Sequence, residues 1–231
     1  MIRLILPVIG LVLLGSHSAL ANTELANRIE LLREAAALPS MKPFDPNELN
    51  QRDSLVSQFD VVIWVNKATS GTSKQRLEIW TRGQKSLTTK VSTGREKWEK
   101  SRAWIWGKGP RNSYFSSTNV GYFTPHHLSP MHTSKLWGTK MPWSIFFDEG
   151  IAIHQAPPDT EYALGSRASG GCVRVSGAVA AGIYNLVLGT QNSWIPEFTR
   201  DGNFVLDSIT GQPRRKRGYS TLIIVEDRVT Q

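Results

Sequence analysis

The sequence has a single cysteine, Cys172, in 231 residues. One thiol excludes an internal disulfide framework. The residue is therefore either a small buried apolar side chain or a reactive nucleophile. Acidic residues are scarce beside basic ones, 19 against 27, for a formal net charge of +8. That balance excludes an acidic, solvating chain and suits a partner that is an anionic polymer, an anionic lipid surface or nucleic acid. No nucleotide-binding glycine loop and no spaced set of metal ligands is present, so no cofactor and no metal are expected. The apolar run near the N-terminus stops short of the roughly 18 residues that cross a bilayer.

That run belongs to a different device. Met1 to Ala21 carries a positive charge at Arg3, an apolar stretch from Leu4 to Leu14 and the small-x-small ending Ala19-Leu20-Ala21. This is the pattern of a secretory signal peptide. It predicts a mature chain beginning at Asn22, with no stable membrane anchor after cleavage. Export also argues against nucleic acid as the partner. Oligomeric state is not legible.

The remainder is long enough for one domain with a full hydrophobic core. Residues 22–58 read as an N-terminal helix and linker. Leu25, Ile29, Leu32 and Ala36 fall on one helical face, after which Pro39, Pro43 and Pro46 interrupt regular structure. Residues 59–231 read as the main domain. Val61 to Val65 is β-branched and apolar, Arg76 to Thr81 alternates, and the turn at Thr81 to Gln84 leads into Lys85 to Ser92. Gly94, Gly107, Gly109 and Pro110 punctuate the next stretch of chain. Trp143 to Phe147 and Ile151 to His154 predict two further strands joined at Asp148-Glu149-Gly150. A helix is predicted over Ala178 to Leu188, capped by Ser176 and ended by Gly189. Residues 190–219 read as an irregular polar insertion, with the basic run Arg214 to Arg217 on a solvated loop, and Thr221 to Val225 as a closing strand. The expected fold class is mainly β, a sandwich or barrel-like arrangement with a few helices, one directly after the cysteine.

The string Ala168-Ser169-Gly170-Gly171-Cys172-Val173-Arg174-Val175 carries the chemistry. Gly170 and Gly171 can take positive φ and turn N–H groups, with that of Cys172, toward one point beside the sulfur. Converging donors of this kind stabilise the oxyanion of an acyl-transfer intermediate. Ser169 is expected to hold the turn by hydrogen bonding. A free thiol is mostly protonated near neutrality and needs a base. His154, eighteen positions upstream at a predicted strand end, is the nearest candidate. His126, His127 and His132 cluster with Tyr122 and Phe123, but no Cys, Asp or Glu ligand accompanies them at a metal-binding spacing.

The order His154, spacer, Ser169-Gly170-Gly171-Cys172-Val173-Arg174 resembles the signature of the L,D-transpeptidase (YkuD) family. Met141-Pro142-Trp143, Ile145-Phe146-Phe147 and Gly150 to His154 resemble that family's approach to its histidine. The resemblance covers residues 59–189, with Thr221 to Val225 as the closing strand. It implies an exported enzyme of the periplasm or cell wall acting on peptidoglycan stem peptides. Cys172 would attack the carbonyl of the third stem residue, release the terminal D-alanine and form a thioester, and His154 would serve as base. An amine acceptor would give 3-3 cross-links and water would give L,D-carboxypeptidase activity. Arg174 is expected to pair with a substrate carboxylate. A lid over the cleft is expected from Tyr122 to Trp137, with Tyr122 and Trp143 contacting substrate. Trp64, Trp80, Trp104, Trp106 and Trp143 read as core or cleft wall.

One residue departs from the signature. Gly170 stands where the family usually has a second histidine. The loss need not stop catalysis, and a histidine restored there is expected to be tolerated. Two other readings remain: a hydrolase that trims stems or cleaves cross-links through the same thioester, and an inactive wall-binding protein on the same fold. Sortases share the order His, Cys, Arg but want Thr-Leu-x-Thr-Cys, and papain-like wall peptidases place Cys before His.

Overall fold

A computed structural model describes residues 41–100 and 113–230. The expected signal peptide, the helix expected after it, Trp104, Trp106 and the glycines at 107 and 109 lie outside the described residues. Thirteen strands are formed among the described residues: β1 (Val61–Asn66), β2 (Arg76–Thr81), β3 (Gln84–Lys90), β4 (Trp98–Lys100), β5 (Ser113–Phe115), β6 (Gly121–Phe123), β7 (His127–Thr133), β8 (Lys140–Asp148), β9 (Ile151–Gln155), β10 (Val173–Val175), β11 (Ser193–Pro196), β12 (Arg215–Gly218) and β13 (Thr221–Glu226). One α-helix, α1 (Gly177–Leu188), is found among the described residues. The fold is mainly β, as the sequence predicts.

Five strands form one sheet in the order β3-β2-β1-β13-β6, and four form a second in the order β10-β9-β8-β7. Both faces of the first sheet are covered, which explains why β1 is apolar at nearly every position rather than alternating. Val61, Ile63 and Val65 of β1, with Ile223 and Val225 of β13, meet Ile145, Phe147, Ile153, Val173 and Val175 of the second sheet. Ala180, Ile183, Tyr184 and Val187 of α1 complete that core. The alternate residues Val62, Trp64, Leu222 and Ile224 face a second core built by Phe44, Leu49, Leu55, Val56 and Phe59. Residues 41–58, expected as linker or arm, are thus packed against the sheet. The buried Glu226 ties them down, accepting from the Phe44 N–H at 2.5 Å and from Trp64 Nε1 at 2.8 Å.

Three local expectations change. Ser176 is the N-cap of α1 but its side chain makes no capping bond. The Glu161 carboxylate takes the role, accepting from the Gly177 N–H at 2.7 Å, where a negative charge also favours the helix dipole. The basic run is a strand rather than a loop: β12 pairs with β11. Its charges are anchored, Arg214 on Glu197 at 3.0 Å and Arg217 over the Trp194 ring at 4.7 Å. The expected lid from Tyr122 to Trp137 is largely sheet, since β6 and β7 lie within it. Among the described residues no helix is long and apolar enough to cross a membrane.

Candidate active site

The second sheet turns one face to the core and carries the site on the other. In the parallel ladder between β9 and β10, Val173 lies opposite Ile153 and Arg174 opposite His154. Val173 and Ile153 point into the main core, so the pleat sends His154 and Arg174 the other way. Cys172, two residues before Arg174, emerges on that same side and packs against Met141, Phe146 and Ala152. The ladder pairs residues twenty positions apart, which places Cys172 beside Ala152 and one pleat repeat from His154 on the same face.

His154 is buried, with 4% of its surface exposed. Burial pushes its pKa down to about 4, against a smaller raising effect of the Gln155 carbonyl, and the charges of Arg174 and His132 push in the same direction as burial. Nδ1 lies 2.7 Å from that carbonyl oxygen. A carbonyl can only accept, so the ring hydrogen sits on Nδ1 and Nε2 carries the lone pair. The Cys172 thiol is pushed up by burial, while the Ala152 N–H and the Arg174 charge pull it down. Sγ points toward the Gly150 carbonyl at 3.9 Å. Cys172 and His154, both among the described residues, share no direct hydrogen bond here. The resting pair is therefore neutral thiol and neutral imidazole.

The nucleophile turn is held from within. The buried Ser169 hydroxyl donates to the Cys172 carbonyl and accepts from the Gly171 N–H at 3.0 Å. The Gly171 N–H, expected among the converging donors, is spent on that bond, which corrects the expectation for Gly171. The free donors among the described residues are the N–H groups of Gly170 and Cys172. Only Gly171 takes a positive φ, +133°, and an added Cβ there would meet the Ser117 carbonyl oxygen at 3.0 Å. Gly170 is glycine for space: an added Cβ would lie 2.6 Å from Trp137 Nε1. A histidine at 170, expected to be tolerated, therefore requires the Trp137 indole to shift.

Arg174 is half-buried, and its Nε is enclosed without a hydrogen-bond partner among the described residues. No carboxylate pairs with it among those residues, and burial lowers its pKa. It is a half-buried cation whose Nε is unpaired among the described residues. Trp143 and Tyr122 do not join the site. Trp143 has φ +57° and packs toward the main core, its ring 5.5 Å from that of Tyr184 on α1. Tyr122 is buried in the second core, its hydroxyl donating to the Lys42 carbonyl at 3.0 Å. Both aromatics sit on the wrong side of their strands, a matter of pleat parity and of the left-handed residue in β8.

His126, His127 and His132 surround the Phe146 ring, with centroid separations of 6.4, 5.6 and 4.9 Å. Among the described residues no group of three or more His, Cys, Asp or Glu is placed to hold a metal ion. Residues that sequence reasoning did not single out are Arg95, Glu99 and Tyr114. Arg95 Nη1 donates to the Ala168 carbonyl at 2.5 Å, and the Glu99 carboxylate accepts from its Nε and Nη2. They reach the site from β4, β5 and the segment before them, where no spacing links them to Cys172.

The family model of the L,D-transpeptidase catalytic domain, YkuD, matches residues 60–220. Among solved structures, an L,D-transpeptidase from Mycobacterium smegmatis is 15% identical over 73% of this chain and 59% of that one, with a TM-score of 0.45. One from Xylanimonas cellulosilytica is 21% identical over 80% of this chain and 70% of that one, with a TM-score of 0.47. The chain covers 59% of the length of the Mycobacterium smegmatis protein. A search of curated proteins returns no match.

Proposed function

Because the chain belongs to the L,D-transpeptidase catalytic-domain family, we propose that it is a peptidoglycan L,D-transpeptidase working by cysteine acyl transfer in the periplasm or cell wall. The observation that carries this reading is the ladder that sets His154 beside Arg174, with Cys172 on the same face.

In the first half-reaction Cys172 Sγ attacks the carbonyl carbon of the third residue of a tetrapeptide stem. His154 Nε2 takes the thiol proton. Negative charge gathers on the carbonyl oxygen and is met by the N–H of Cys172, with that of Gly170 as the second free donor of the turn. The bond to the terminal D-alanine breaks, His154 protonates the departing amine, and a thioester remains. In the second half-reaction an amine of another stem gives its proton to His154 and attacks the thioester carbon. The carbon–sulfur bond breaks, the thiolate recovers a proton, and a 3-3 cross-link is released. Arg174 holds a substrate carboxylate through its planar fork, for which its unpaired Nε is suited.

The test is mass spectrometry of the purified protein and its Cys172→Ala variant after incubation with disaccharide-tetrapeptides. Cross-linked dimers that require Cys172 support the transpeptidase. Tripeptides alone move the assignment to the hydrolase of the same thioester chemistry. No adduct and no turnover would leave the wall-binding reading.

A further inference from the structure

The turn that carries Cys172 is walled by a side chain from a distant hairpin. Trp137 sits in the connection between β7 and β8. The point a Cβ on Gly170 would occupy is 2.6 Å from its Nε1 and 2.8 Å from its Cε2 and Cζ2. The indole and any side chain at 170 exclude one another.

The ring is clamped. The Arg95 guanidinium lies 5.6 Å from its centroid, and the Tyr114 ring meets it edge-on at 5.8 Å and 79°. Arg95 is itself fixed by the Glu99 carboxylate and by the Ala168 carbonyl of the nucleophile turn. Glu99 also accepts from the Tyr114 hydroxyl at 3.3 Å. A cation and an aromatic edge packed on one indole, both tied to the turn it covers, make the wall and the turn a single unit.

We propose that Trp137 shields the acyl site: its indole fills the space beside the nucleophile turn that Gly170 leaves open and keeps water from that side of the thioester, so that an amine rather than water resolves it. The inference rests on the reading of Cys172 as an acyl-forming nucleophile. An indole has no proton to exchange near neutral pH, so it cannot activate water as an imidazole in that space could. Excluding water suppresses hydrolysis of a reactive intermediate. In transfer the carbon–sulfur bond gives way to a carbon–nitrogen bond, and in the suppressed reaction to a carbon–oxygen bond from water. The thiol is regenerated in both, so the ratio of the two products reports the shield.

The experiment incubates wild type, Trp137→Ala, Trp137→Phe, Gly170→His and the double variant Gly170→His/Trp137→Ala with disaccharide-tetrapeptide. The readouts are the acyl adduct, the ratio of cross-linked dimer to tripeptide, and the urea midpoint of each protein. Trp137→Ala is expected to lower the ratio about tenfold while acylation stays within a few-fold of wild type, and Trp137→Phe to restore the ratio. Gly170→His alone should slow acylation about tenfold through overpacking, and adding Trp137→Ala should relieve that loss. A wild-type ratio in Trp137→Ala, a wild type that yields tripeptide only, or a Gly170→His penalty unchanged by Trp137→Ala overturns the shield while leaving the nucleophile standing. Absence of any adduct on wild type removes the nucleophile reading, and the shield falls with it.

Discussion

His154 Nδ1 lies 2.7 Å from the carbonyl oxygen of Gln155, the next residue along its own strand. The contact selects the tautomer and aims the lone pair of Nε2 out of the strand. With burial holding its pKa at about 4, His154 is a neutral imidazole across the whole physiological range.

Acylation should therefore keep its rate down to about pH 5 and lose half of it near pH 4, where His154 takes up a proton in the free enzyme. The measurement is the second-order rate of adduct formation on Cys172 by intact-protein mass spectrometry across that range. An acid limb at the ordinary histidine value would contradict the assignment. His154→Ala should slow the step on the order of 100-fold or more.

The same burial makes stability depend on pH. The folded-state pKa lies below the unfolded value of about 6.5, so the unfolded chain binds the extra proton between the two. The stabilisation is complete above pH 6.5 and is lost as pH falls toward 4, by about 3 kcal/mol over that window. Urea unfolding at pH 7 and pH 4 should show a smaller fall in His154→Gln than in wild type.

Arg174 supplies charge to the thiol without an acidic partner among the described residues. Arg174→Ala should move the pH midpoint of Cys172 alkylation by iodoacetamide upward, because the cation that stabilises the thiolate is gone. Arg174→Lys should keep the alkylation profile near that of wild type yet raise KM for the tetrapeptide, since an ammonium lacks the planar fork. An unchanged midpoint in Arg174→Ala would count against its influence on the sulfur.

Ser169→Ala removes two hydrogen bonds inside the nucleophile turn. It should cost about 1–3 kcal/mol of stability and reduce acylation, as read from urea midpoints and adduct rates. Gly171→Ala should reduce acylation further, because it combines a φ of +133° with a carbonyl oxygen 3.0 Å from the new methyl group. Equal behaviour of Gly171→Ala and wild type would show that the turn relaxes freely.

Much of the site was legible because its chemistry is local. The strand Ile151 to His154 and the helix Ala178 to Leu188 are short, strongly patterned segments, and the structure forms β9 and α1 where they predict them. The wall of the cleft was not legible. Trp143 and Tyr122 are aromatic residues beside the right strands, but the parity of the pleat and a φ of +57° at Trp143 send them into the cores. Arg95, Glu99 and Tyr114 belong to another hairpin, and nothing in their spacing announces Cys172.

Residue order and composition were enough to predict a mainly β chain and to bring forward one cysteine, one histidine and a cation two residues beyond the cysteine as candidates. Those properties reside in side-chain chemistry and in strand-length patterns, which need no knowledge of distant neighbours. Packing settled the rest: which N–H groups of the turn remain free, how far burial lowers the base, and what fills the space at Gly170. Each depends on desolvation or on steric contact between segments far apart in sequence, and such quantities exist only once the chain has folded.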